Sequence, residues 1–389
     1  MDLKHLKDEI FEQLNNKIIP FWENLKDENN GGYVSYVGFD LKPDLYAPKG
    51  LVLTSRILWF FSRLYNQLRK EEFIEFADHA YEFLTDKLLD KENGGFFWVV
   101  DYKGDPLDKR KHLYGQAFAL YGLSEYYKAT KKKESLELSL ELYKTIEERG
   151  KDNIGYNEEF DEKWTPKENI IVSEYGIICE KSMNTLLHLL EAYTNLFTAT
   201  YDLKVRKEIE NLIILFKEKI YNPKTDHLYV FFDNKMKPII DAISYGHDIE
   251  ATWLIDEALI YIENNTLIKE MTEINLRIAE RVLEEAFENN SLLNEKVRRE
   301  VNKDRVWWVQ AEALVGFLNA YQKTKSDKFL KAVLSLWEFI NNFLLDKRPN
   351  GEWFNKLDEN YIPFPMPEVD LWKCPYHNGR MYLEVIRRI

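Results

Sequence analysis

The sequence predicts an all-α fold, an (α/α)6 barrel: a toroid of six helix hairpins with short β-turn or hairpin connections at one end. Three observations carry this reading. Twelve stretches show helical periodicity. Six short strand-like or turn-rich pieces divide the chain into units of about sixty residues, a degenerate internal repeat. One helix precedes the first piece and one follows the sixth, so the two ends can pair and close a ring. An open α-solenoid is the alternative, because hairpin repeats also stack in line.

The elements follow in order. A helix near 4–24 leads into Gly31-Gly32-Tyr33-Val34-Ser35-Tyr36. Helices near 50–68 and 72–89 lead to Gly94-Gly95-Phe96-Phe97-Trp98, and those near 111–130 and 134–149 to Gly155-Tyr156-Asn157-Glu158. Segments 180–203 and 205–221 precede Leu228-Tyr229-Val230-Phe231-Phe232, and 247–264 and 267–288 precede Leu292-Leu293-Asn294-Glu295. Segments 306–324 and 327–345 precede Gly351-Glu352-Trp353-Phe354, and a helix near 376–388 ends the chain. The stretch 290–305, with Lys296, Arg298, Arg299, Lys303 and Arg305, reads as a solvated loop or, in functional terms, a mobile lid. No Gly/Ser/Pro linker or low-complexity tract interrupts the pattern, so one catalytic domain over 1–389 is expected.

Composition narrows the function. The 389 residues are 45% hydrophobic, ample for a core. The 23 Tyr, 23 Phe and 10 Trp exceed what packing asks for, and aromatic rings stack on sugar faces. A net charge of −13 repels phosphate backbones and argues against nucleic acid. No apolar run is long enough for a membrane span, and the first residues hold no apolar signal core. Two cysteines, Cys179 and Cys374, make no disulfide framework. A reduced, cytoplasmic setting and a monomer or weak homodimer are the expectations.

Two histidine-centred strings carry most of the chemistry: Ser244-Tyr245-Gly246-His247-Asp248-Ile249-Glu250 and Cys374-Pro375-Tyr376-His377-Asn378-Gly379-Arg380. Each opens a helix with a histidine in the first turn. There the positive end of the helix dipole disfavours protonation, and a neutral imidazole is a base. If even-numbered helices form the inner ring, their early turns share a character. Helix two carries Arg56, helix four Tyr114 and Phe118, and helix six Asn184 and His188. Helix eight carries His247 and Glu250, helix ten Trp308 and Glu312. Helix twelve follows Trp372 and carries His377 and Arg380. Polar and aromatic side chains thus gather at one mouth of the barrel.

Each residue also has a plain structural reading. His188 on an apolar helix fits a hydrogen-bonded core histidine, His112 a helix cap, and Arg56 an ion-pair partner. Trp307 and Trp308 are adjacent and face apart, one to the core and one to the cavity. His247, Asp248 and Glu250 are metal-ligand types, yet no His-Glu-x-x-His or cysteine cluster accompanies them, so no metal is expected. No phosphate loop, dinucleotide fingerprint or nucleophile elbow is present. A glycosidase carboxylate pair stays open among 66 Asp and Glu.

Together with Arg56, Asn184-x-x-x-His188 and Trp307-Trp308-Val309-Gln310-Ala311-Glu312, the two strings resemble the N-acylglucosamine 2-epimerase superfamily. The resemblance runs from Ile18-Ile19-Pro20-Phe21-Trp22 to the C-terminus. It is nearest to the branch acting on β-1,4-linked disaccharides. It implies an (α/α)6 barrel and reversible inversion at C2 of a reducing-end sugar, with no cofactor. It also implies that His247 and His377, on opposite faces of C2, exchange base and acid roles through a cis-enediolate. Arg56, Asn184 and His188 would hold the enediolate charge, and Tyr114 and Phe118 would contact the sugar. Glu250 would orient His247 or help ring opening, Glu312 would touch the sugar, and Trp308 and Trp372 would be platforms for the two rings.

Overall fold

Twelve helices form two concentric rings in the computed structural model, which describes residues 2–167 and 179–389. Helix α1 covers 3–23, with a π-turn at Leu14–Ile18. Next come α2 Leu51–Leu68, α3 Glu72–Phe83, α4 Leu113–Thr130 and α5 Lys133–Thr145. Then follow α6 Met183–Thr200, α7 Leu203–Leu215, α8 Tyr245–Leu259 and α9 Asn265–Ala286. The series ends with α10 Trp307–Thr324, α11 Asp327–Phe339 and α12 His377–Arg388. The even helices pack side by side in order, and α12 returns to α2. The ring is closed, so the solenoid alternative falls. Helix α1 packs on α12 and α11, pairing the two ends as expected.

The two rings differ in sequence because they differ in burial. An inner helix is enclosed on every side and is apolar nearly all round. In α4 every residue from Leu113 to Tyr126 is buried. Outer helices bury one stripe, such as Phe73, Ala77 and Ala80 of α3. Close packing of inner helices needs a small residue where they cross. A Cβ on Gly122 of α4 would lie 2.7 Å from the Ser55 carbonyl oxygen of α2.

The six sequence units return as one repeated turn. Five outer helices contain or end in a π-turn, the others lying at Leu84–Leu88, Ile146–Gly150, Phe216–Ile220 and Ile340–Leu344. After each outer helix the chain doubles back through an antiparallel pairing. These are Lys26 with Tyr33, Leu89 with Phe96, Lys151 with Tyr156, Tyr221 with Leu228, Phe287 with Leu292 and Leu345 with Trp353.

A buried cation on a carboxylate, or in the fifth unit a buried arginine on a serine hydroxyl, then fastens the turn to the start of the next inner helix. Lys49, two residues before α2, donates to Asp27 at 2.7 Å, and Lys111, two before α4, to Asp90 at 2.7 Å. Lys181 takes Asp152, Arg305 takes Ser291 Oγ at 2.7 Å, and Lys373 takes Glu352 at 2.8 Å. The aspartates also accept backbone N–H groups of their own turns, as Asp90 does from Glu92 and Asn93. In the fourth unit the polarity is reversed. There Asp248 belongs to the helix, and His227 of the turn reaches it at 2.6 Å. These latches fix where each inner helix begins, and so where its first-turn side chains point.

The stretch 290–305 is solvated at Arg298, Arg299 and Lys303 but is not an irregular loop throughout. Glu295–Val297 and Glu300–Asn302 form a hairpin that pairs with Ala242–Ser244, just ahead of α8. Arg305 is buried in its latch rather than solvated.

Candidate active site

The latched ends of the inner helices surround a cavity of about 420 Å³. That size falls within the usual range for small-molecule sites, about 300–1,000 Å³. Its wall includes Arg56, Tyr114, Asn184, His188, His247, Trp308, Trp372 and His377. Eight of the eleven residues expected at the site therefore meet in one place. The hairpin adds Asn294, Glu295 and Asn302 to the rim.

Each central histidine is held by its Nδ1. His247, in the first turn of α8, pairs Nδ1 with Ser244 Oγ at 2.8 Å. His377, the first residue of α12, pairs Nδ1 with Glu312 Oε1 at 2.7 Å. Both Nε2 atoms have no hydrogen-bond partner among the described residues. The Trp308 indole lies beside both rings, its centroid 4.6 Å from His247 and 5.3 Å from His377. Gly246 makes room for it, since a Cβ there would come within 2.6 Å of the indole.

Both imidazoles are held neutral. Burial first, and then the nearby His188, push His247 down to about 3, against a small upward pull from Glu312. Burial again leads for His377, joined by Arg56 and Arg380, and holds it well below its ordinary value. Burial and neighbouring cationic or imidazole groups are the causes on both histidines, rather than the helix dipole the sequence reading invoked. His188 is also lowered by burial, with Nδ1 on Glu191 Oε2 at 3.1 Å.

Arg56 supplies positive charge to the same cavity wall. Arg56 is fully buried between the rings of Phe118 and Tyr376, 4.1 and 4.5 Å from its guanidinium carbon. It donates to Tyr114 OH at 2.7 Å and to the Trp372 carbonyl at 3.0 Å. Burial raises the Tyr114 hydroxyl to about 12 even against Arg56, so it stays a phenol. The Oδ1 of Asn184 is buried and has no partner among the described residues.

Three expected site residues sit behind the wall instead of on it. Phe118 is buried against Arg56 and His188 and supports both. Glu312 touches His377 rather than any open space, and its Oε2 accepts from Trp253 Nε1 at 3.0 Å. Glu250 lies beside His377, 3.9 Å from its Nδ1, and not beside His247. Trp307 is a buried core residue and half-buried Trp308 lines the cavity, as expected, although the edge of Trp307 also touches the cavity. His112 caps α4, its Nδ1 accepting from Tyr114 N at 3.3 Å, as its plain reading held.

The sequence reading gave no role to Ser244, Glu191 or Tyr376, and it grouped Arg380 with the mouth residues, whereas Arg380 lies behind them in a buried cluster. Arg380 donates to Glu191, Glu250 and Glu312 and to the Tyr376 hydroxyl, all buried. Their signal was present: Tyr376 and Arg380 are four apart in the string, on one helix face with His377 between them. His247, Asp248 and Glu250 do not converge on a metal, because Asp248 turns to His227 and Glu250 to Arg380. Glu250, Glu312 and His377 do bring ligand-type atoms within 4.8 Å of one another. The Arg380 guanidinium already lies on both carboxylates and supplies the positive charge there.

A family model described as N-acylglucosamine 2-epimerase matches residues 23–377. The chain belongs to the N-acylglucosamine 2-epimerase family. It is 82% identical over 389 residues to a cellobiose 2-epimerase of Dictyoglomus turgidum, covering all of both chains. It is 44% identical over 381 residues to a cellobiose 2-epimerase of Ruminococcus albus, covering 98% of each. The solved cellobiose 2-epimerase of Bacillus thermoamylovorans superposes with a TM-score of 0.97 at 44% identity, covering 99% of this chain and 100% of that one.

Proposed function

We propose that this chain inverts C2 of the reducing-end glucose of β-1,4-linked disaccharides, converting cellobiose to glucosylmannose and lactose to epilactose. The observation that carries the reading is the pair of neutral imidazoles. Each is fixed through Nδ1, each leaves Nε2 unpaired, and both border one cavity beside a shared indole. A single base would return its proton to the face it came from. Two bases permit inversion.

The reaction begins when the sugar ring opens and the C1 aldehyde acidifies the C2 proton. One imidazole Nε2 removes it. The electrons move onto O1, giving a cis-enediolate, and the other imidazole returns a proton to the opposite face of C2. Arg56 supplies a fixed cation beside the cavity, and Asn184 and His188 add polar contacts. Such preorganised groups stabilise charge as it develops, without the reorganisation that water requires. Trp308 and Trp372 offer faces for the two sugar rings. The full-length likeness to cellobiose 2-epimerases supports the disaccharide substrate.

The test separates the two half-reactions. His247→Asn and His377→Asn are each expected to abolish epimer formation. Each is also expected to keep exchange of the C2 hydrogen with deuterium oxide from one epimer only, a different one for each variant. Near-normal epimerisation by either variant would remove that histidine from its role.

A further inference from the structure

With both imidazoles neutral, the base is in place but the acid that must reprotonate C2 is not. The buried cluster behind His377 offers one. Three carboxylates, Glu191, Glu250 and Glu312, surround the single guanidinium of Arg380. Tyr376 and Trp253 add only neutral donors, to Glu191 and Glu312. Glu250 is fully buried, and its Oε2 has no partner among the described residues. Two carboxylates crowded on one cation in a dry site cannot both ionise cheaply.

On this geometry we infer that Glu250 and Glu312 share one stored proton, which reaches the substrate through the ring of His377. The inference rests on the epimerase reading above. When Glu312 holds the proton, its O–H donates to His377 Nδ1, and Nε2 carries the other ring hydrogen. As the enediolate collapses, Nε2–H passes to C2 while Nδ1 takes the Glu312 proton. His377 ends neutral with its tautomer switched, and Glu312 ends a carboxylate. In the reverse direction Nε2 takes the C2 proton and Nδ1–H returns to Glu312. No imidazolium forms at His377 in either direction. His247, backed only by the Ser244 hydroxyl, has no such store: it gives the proton it removes to solvent, and in the reverse direction it takes from solvent the proton it delivers to C2.

The surrounding charges fit this division. Burial tends to raise Glu191, but Arg380 and the hydrogen bond from His188 hold it at about 2, so it stays ionised. Burial raises both Glu250 and Glu312 against the pull of Arg380, with Glu312 raising Glu250 further and Glu191 raising Glu312. A second cavity of about 170 Å³, at the other end of the barrel, is lined by Glu191, Trp253 and Arg380. It borders Glu191 and Arg380 but neither Glu250 nor Glu312, so the paired carboxylates stay dry while the stored proton is reset through Arg380's far side.

Infrared difference spectroscopy on the intact protein tests this without turnover. At neutral pH the spectrum of the wild type minus Glu250→Gln, and that of the wild type minus Glu312→Gln, should each contain the carbonyl stretch of one protonated carboxyl. That band should shift in deuterium oxide. Other buried acids cancel in the subtraction. Absence of the band from either difference overturns the proposal. Should a glutamine variant fail to fold, Glu250→Asp and Glu312→Asp serve instead: each wild-type-minus-variant difference should show the shared carboxyl band, and its absence from either overturns the proposal. Epimer formation by the wild type is assayed in parallel. Epimer without the band sinks the stored proton alone, and no epimer sinks the epimerase reading.

Discussion

Replacing Gly246 by alanine probes how closely the site depends on the placement of Trp308. The added Cβ would stand 2.6 and 2.7 Å from two indole carbons and 2.7 Å from Val309 Cγ2. Ordinary contact begins at 3.4 Å, so the indole must retreat by about 0.8 Å. Trp308 borders both His247 and His377, so its displacement disturbs the position of C2 relative to both bases. A shift of about 1 Å costs roughly 100-fold in rate, equivalent to about 2.7 kcal/mol of barrier. Overpacking costs about 1–3 kcal/mol of stability. The expected result is a fall of about 100-fold in kcat/KM with a Tm drop of a few degrees and an unchanged fold by circular dichroism. Steady-state epimerisation of cellobiose and scanning calorimetry read the two effects. A kcat/KM within twofold of wild type would refute the claim that the indole positions the reacting carbon.

Further outcomes follow from other sites. Lys111→Met leaves Asp90 buried without its cation, and unfolding in urea should show a loss of about 3–5 kcal/mol. Trp372, 41% exposed at the mouth, should act in binding: Trp372→Ala should raise KM for cellobiose about tenfold, near 1.4 kcal/mol, with little change in kcat. His227 is lowered by burial but raised more by Asp248 and Glu285, so its folded value lies above 6.5. A raised folded value means its contribution is fully present below pH 6.5 and is lost as pH rises through the folded value. The Tm gap between wild type and His227→Gln should therefore shrink from pH 6 to pH 9. A gap that widens would contradict the sign.

The repeat was legible because short strand-like pieces, four of the six with glycine, recur where the outer helices turn inward, and each turn folds as the same antiparallel pairing. The histidines were legible because each opens a helix just after a break in the pattern. What was not legible depends on distance along the chain. Glu312 and His377 are 65 residues apart and Arg380 and Glu250 are 130 apart, so no spacing rule joins them. Phe118 and Glu250 share a helix face with true cavity residues, and only the depth of the site separates wall from support. The hairpin at 295–302 hid because three-residue strands of mostly polar side chains look like loop. Helices α2, α4, α6 and α10 end in left-handed Arg69, Lys131, Tyr201 and Lys325, where a sequence reader looks for glycine.

The central claim is that two histidines on opposite faces move the C2 proton through a pocket open to exchange. It is tested most directly by converting cellobiose in deuterium oxide and reading C2 of the product by NMR. The account predicts glucosylmannose with deuterium at C2 from the first turnovers, while unreacted cellobiose stays largely unlabelled. Product that keeps its original hydrogen at C2 would contradict it.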